Sequence, residues 1–160
     1  MSQRANALAD RIEQGGAALA ALAERLSDAD WQTPVTGDGR TVGVIIHHVA
    51  SVYPIEITLA RKLAAGEPIT GVTAGGIAEM NAGHAHEHAR VAKAETLDLL
   101  RRNNKTAADA VRALTDDELD RAAPVSLNED APLTTQFFIE DHALRHSFHH
   151  LARIRATLKR

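Results

Sequence analysis

Nine histidines in 160 residues are the feature of this chain best equipped for chemistry, and they are clustered rather than scattered. They fall as His47 with His48, as His84, His86 and His88, and as His142, His146, His149 and His150. His146 and His150 are four residues apart, so on a helix both rings leave one face about a turn apart. Helical zinc motifs use the same spacing to put two imidazoles on one ion. His48 is a third candidate, because it lies in the apolar stripe Ile45, His48, Val52, Ile55, Leu59, Leu63. Imidazole carried into a core needs hydrogen bonds or a ligand. Three histidines on one divalent ion leave a coordination position for water or substrate, as in catalytic sites. Spacing alone does not make this set unique. His47 falls towards the edge of the stripe, and His142 pairs helically with His146 or His149. The tract His84-Ala-His86-Glu-His88 reads as a solvated loop or helix start, since a helix would turn His86 away from the other two.

Other chemistries lack their residues. There is no cysteine, hence no disulfide, thiolate zinc site or catalytic thiol belonging to the chain itself. No Glu-x-x-His occurs, which removes the ferritin-like di-iron pattern, and no His-Glu-x-x-His, which removes that class of protease. A phosphate loop with lysine and a Gly-x-Ser-x-Gly elbow are also missing.

Helices must position these histidines. Leu8, Ile12, Gly15, Leu19, Leu22 and Leu26 recur at helical spacing and predict a first helix over 4–26, with Gly15-Gly16 allowing close approach of a neighbour. Residues 27–40 form a loop. The second helix starts at the cap-like Thr41, runs to about residue 65, and carries Pro54, which should kink it. Residues 66–83 make a long crossover with a short helix around 77–81. The third helix carries Leu97, Leu100, Asn104, Ala108, Val111 and Leu114, with Asn104 fixing register on its seam or lining the site. Residues 124–132 are loop, and the last helix runs from about Thr134 to the C-terminus. On it Phe137, Leu144, Phe148, Leu151 and Leu158 form a second stripe nearly opposite His146, suited to a dimer interface. The expected fold is therefore all-α, a four-helix bundle with a long crossover connection, and residues 1–160 read as one domain.

Composition narrows the partners. A net charge of −3 and an aromatic content of 3% offer neither the basic surface nor the stacking platforms that nucleic acid needs. The N-terminal Met-Ser-Gln-Arg-Ala-Asn lacks the apolar core of a secretion signal, and no segment is expected to approach a membrane span. The expectation is a cytoplasmic protein with a small-molecule substrate, no nucleic acid and no membrane partner.

Three segments in this order resemble the DinB/YfiT-like family of metalloenzymes. The first is Trp31 followed by Arg40-Thr-Val-Gly-Val-Ile-Ile-His-His-Val-Ala50. The second is Asn81-Ala82 in the crossover, with a charged helix ending in Leu114-Thr-Asp-Asp-Glu-Leu119. The third is His146-Ser-Phe-His-His-Leu-Ala-Arg-Ile154. The resemblance implies that His48, His146 and His150 are the metal ligands, that the ion is of the nickel or zinc type, and that the chain forms a homodimer. It implies an activity like that of transferases and isomerases using mycothiol, bacillithiol or another low-molecular-weight thiol as cosubstrate. Many members carry Arg-Gly-Gln after the double histidine. This chain has Leu151-Ala152-Arg153, which leaves Arg153 as the anion-binding group, or as an ordinary surface ion-pair former. The alternative is a non-catalytic, stress-associated helical dimer whose metal is structural or adventitious.

Overall fold

Serine and threonine caps set most of the helix starts in the computed structural model, which describes residues 2–160. Helix α1 (Gln3–Glu24) opens where Ser2 Oγ accepts the Ala5 N–H at 3.0 Å. The short α2 (Asp28–Trp31) has a reciprocal box between Ser27 and Asp30. Helix α3 (Val42–Ala64) is capped by Thr41, as its sequence suggests, and α4 (Ala74–Glu87) by Thr73. Helix α5 (Lys93–Arg112) starts without a side-chain cap, whereas α6 (Asp116–Asp120) has a box of Thr115 with Glu118. Thr134 caps α7 (Thr135–Ile139), which continues through one π turn (Glu140–Leu144) into α8 (Arg145–Leu158).

The four long elements are α1, α3, α5 and the α7–α8 rod, and they form the expected all-α four-helix bundle. Helices α1 and α3 each pack against α5 on one side and α8 on the other. Helices that follow one another as α1 and α3 do are therefore not the main neighbours, and longer connections must carry the chain across. The predicted stripe of α1 is buried throughout, as are Leu97, Leu100, Asn104, Ala108 and Val111 of α5.

Two glycines and one proline show how closely the helices approach. A Cβ on Gly15 would overlap Ser147 Oγ of α8, and one on Gly16 would overlap the Asn104 amide of α5. Asn104 does not line the site. Its Nδ2 donates to the Ile12 carbonyl at 2.8 Å and to Tyr53 Oη at 3.0 Å, locking α1, α3 and α5 together. Pro54 sits inside α3 and has no N–H to give the carbonyl four residues back, that of Ala50. Asn103 Nδ2 donates to that carbonyl at 2.9 Å and restores the lost partner.

Several expectations change. The crossover holds a full helix, α4, extending beyond the short piece anticipated at 77–81 and taking in His84 and His86. Residues 122–134 are not simply loop. They form an antiparallel ribbon, β1 (Ala122–Val125) and β2 (Ala131–Thr134), with Pro124 opposite Pro132. Ile69 brackets it, donating to the Pro124 carbonyl and accepting from Ser126, each at 2.9 Å. Ile55 is 46% exposed rather than buried, because this end of its stripe lines an open cleft. Finally, α3 is by length and apolarity alone sufficient to cross a membrane, contrary to the expectation that no segment would be. Its apolar residues are explained by the bundle, which buries 61% of that window.

Candidate metal centre and its cleft

Helix α3 brings His48 into the bundle, and α8 brings His146 and His150 towards it from one face. Each of the three offers a ring nitrogen, and these nitrogens all lie within 4.8 Å of one another. The His48 ring centroid is 5.0 Å from that of His146 and 5.7 Å from that of His150, both edge-on. Only 5% of His48 and of His150 is exposed. Burial, reinforced by neighbouring imidazoles, pushes His48 down to about 3 and His150 down to about 2. Both rings are therefore neutral at physiological pH, the protonation state a metal ligand requires.

A carboxylate that the sequence did not single out supports the triad. Glu56, two turns along α3 from His48, places Oε1 3.1 Å from His146 Nδ1, without the geometry of a full hydrogen bond. A carboxylate behind a ligand histidine fixes its tautomer and strengthens its basicity. The only signal available was an acidic residue on a helix face turned about 80° from His48.

The other histidines are placed differently by local structure. His142 would continue the i, i+4 series of His146 and His150 on an unbroken α-helix. The π turn inserts extra backbone between them, and the His142 ring stacks on Phe138 at 4.3 Å instead. His149 is exposed at the rim. His47 is outside the triad and joins His84 and His88 in a second, adjoining cluster, whose donor nitrogens also lie within 4.8 Å of one another. The histidine tract is thus the end of α4 and not a solvated loop. His86 does point away from the other two and is exposed.

The triad forms part of the wall of a cleft of about 720 Å³. Its apolar side is built from Val52, Ile55 and Leu59 of α3, Ile77 and Met80 of α4, and Phe138 of α7. Its polar end carries two guanidinium groups sharing one carboxylate. Asp38 is held by Arg40 at 2.7 and 2.8 Å, which keeps its carboxyl down at about 2. Arg153 Nη1 lies 3.7 Å from the same carboxylate, and Arg153 Nη2 donates to the Thr36 carbonyl at 3.2 Å. Arg153 therefore stands at the cleft. Arg40 is the cation that was missed, because its sequence position in a loop said nothing about its neighbours. Trp31 has a structural role: it is buried against Gly43 and donates to the Val91 carbonyl at 3.1 Å.

Among the described residues, seven buried side-chain polar atoms have no partner. Five belong to residues lining this cleft: Arg40 Nη1, Glu56 Oε2, Asn81 Oδ1, His146 Nδ1 and His150 Nδ1. Folded proteins leave few such atoms, because each costs about 1–3 kcal/mol. Their convergence, together with three imidazoles at ligand spacing, fits a bound cation and a polar ligand. An imidazole set suits zinc, nickel, copper or iron better than magnesium or calcium.

Residues 11–154 match the family model described as the DinB superfamily. No match was found among curated protein sequences. Two solved structures are similar in fold. YfiT from Bacillus subtilis, described as a probable metal-dependent hydrolase with an unusual four-helix bundle topology, aligns at a TM-score of 0.78 and 19% identity over 99% of this chain and 89% of its own. The mycothiol-dependent maleylpyruvate isomerase aligns at 0.71 and 12% identity, over 96% of this chain and 63% of that one.

Proposed function

The chain belongs to the DinB superfamily, and from that premise we propose that it is a metal-dependent enzyme acting on a small anionic molecule. A divalent ion of the nickel or zinc type would be held by His48, His146 and His150. The convergence of unpartnered buried polar atoms on the cleft beside this triad carries the reading. When bound, such an ion supplies Lewis acidity, enough to bring a thiol or water towards its anion near neutral pH.

The chain's own residues supply the rest. Glu56 orients the His146 ring. Arg153, and Arg40 with its free Nη1, attract and align an anionic group at the polar end. Asn81 Oδ1 is an acceptor for a substrate N–H or O–H. The apolar wall from Val52 to Met80 takes the remainder of the substrate and excludes water from it.

Within this reading the activity is a thiol-dependent transfer or isomerisation. The chain has no cysteine, so a thiol nucleophile must come as a cosubstrate, and the cleft has volume for a second molecule. The fold shared with the mycothiol-dependent isomerase supports the same class. We also propose a cytoplasmic homodimer, formed through the face on which Phe137 and Phe148 are 48% and 39% exposed. Sedimentation equilibrium would return a monomer mass if that proposal is wrong.

The deciding experiment is elemental analysis of native protein beside His48→Ala and His146→Ala. The loss of one metal equivalent per chain from each variant, relative to wild type, is expected. Full retention in both would refute the site. Turnover of electrophiles that depends on an added thiol and stops on chelation would support the transferase reading. Metal-dependent folding with no turnover would favour the inert dimer.

A further inference from the structure

The structure assigns a second cation site to His47, His84 and His88, a clasp that fastens α4 over the cleft when a divalent ion such as zinc is bound. The inference goes beyond the proposed function, since these rings are a different donor set from the first triad, which they adjoin where the His84 ring centroid lies 5.5 Å from that of His48.

Helix α4 has little else to hold it. It contributes no buried residue to the core. It contains Gly75, Gly76 and Gly83, and a Cβ at Gly75 or Gly83 would meet nothing within 4 Å, so these glycines do not serve close packing. Each weakens an exposed helix by about 1 kcal/mol relative to alanine. A helix of fourteen residues with no buried face is marginal on its own. Yet α4 supplies Gly76, Ile77, Met80 and Asn81 to the cleft wall, so its position decides the shape of the binding site.

The three histidines meet where α4 ends against α3. His84 in the last turn of α4 and His88 at its C-cap are four residues apart, the spacing also used by His146 and His150. Ring centroids lie 5.1 Å apart for His47 and His84, 4.2 Å for His47 and His88, and 4.7 Å for His84 and His88. One nitrogen from each is within 4.8 Å of the others, and ligands about 2.0–2.1 Å from zinc need only small ring rotations from there. Hydrogen bonding does not explain the cluster by itself. His47 Nδ1 and His84 Nε2 share a proton at 2.8 Å, but His84 Nδ1 remains buried with no partner. Ser51 Oγ donates to the His47 carbonyl at 2.8 Å and lies 3.3 Å from His47 Nδ1, so it satisfies nothing on His84.

Zinc titration followed by equilibrium dialysis, with amide exchange measured across residues 74–87, tests the site. Wild type and His86→Ala should each bind two ions per chain. The double variant His84→Ala/His88→Ala should bind one, and so should His48→Ala/His146→Ala. Zinc should slow exchange in α4 at least tenfold in wild type and in His48→Ala/His146→Ala, but not in His84→Ala/His88→Ala. Three results would overturn the site: two ions in the His84→Ala/His88→Ala variant, one ion in wild type, or α4 exchange indifferent to zinc. One ion in wild type, lost only with His48 and His146, would sink the clasp and leave the first metal centre intact. Circular dichroism on each variant separates loss of ligands from loss of fold.

Discussion

Acid should destabilise the metal-free protein through the burial of His48 and His150. Both have folded-state pKa values far below the ordinary 6.5, at about 3 and about 2. Below pH 6.5 the unfolded chain takes up protons that the folded chain refuses, so stability rises with pH through this window and falls on acidification. The loss begins near pH 6.5 and continues down to about pH 3, where His48 itself protonates. A pH of 5.0 lies roughly 1.5 units below the unfolded pKa of each ring, a cost of about 2 kcal/mol apiece and about 4 kcal/mol together. That is a large part of the 5–15 kcal/mol by which domains are typically stable. The measurement is urea unfolding of chelator-stripped protein at pH 7.5 and 5.0, in wild type and in His48→Gln/His150→Gln, whose amides do not titrate. Other histidines with lowered values, such as His84 at about 4, contribute to both proteins and cancel. Wild type should lose about 4 kcal/mol more than the variant over this interval. Equal losses would refute the inference that these two rings are held neutral by burial.

Three further outcomes follow from single contacts. Replacing Asn103 with alanine leaves the Ala50 carbonyl without a donor and should cost about 1–3 kcal/mol; the cost should shrink in a Pro54→Ala background, where the backbone N–H returns, as a double-mutant unfolding cycle would show. Gly16→Ala gains about 1 kcal/mol of helix propensity but drives a methyl into the Asn104 amide and its two hydrogen bonds. The net expectation is a loss of about 1–3 kcal/mol in thermal or urea unfolding, and a stabilised variant would contradict the packing described. Glu56→Gln should weaken metal binding about 10–100-fold in a competition titration with a chromophoric chelator, while leaving the fold intact.

What could be read from the chain before its structure followed the hydrophobic period. Helices α1 and α5 bury most of their stripes and α3 the first part of its own, so their repeats of three and four residues reveal both position and inward face. The cap at Thr41 and the pair His146 and His150 were legible for the same reason, since each is a local relation within one helix. Helix α4 buries nothing, so it has no stripe to detect, and its glycines read as loop. The ribbon at 122–134 carries a proline in each strand, which suppresses the usual strand pattern. The π turn has no signature in residue type, yet it removes His142 from the triad. Glu56, Arg40 and the meeting of His47 with His84 and His88 depend on pairs of elements brought together by the fold, and spacing along one chain is silent about those.

The absence of core residues in α4 also separates two kinds of selective pressure. Most side chains of the bundle are constrained by packing, where one methylene more or less changes stability. The cleft-facing side chains of α4 carry no such burden. Ile77, Met80 and Asn81 can be exchanged for larger, smaller or more polar residues with little effect on whether the protein folds. A lineage can therefore explore new substrates by rewriting the α4 part of the cleft, while α3 and α8 keep their histidines and their structural duties unchanged.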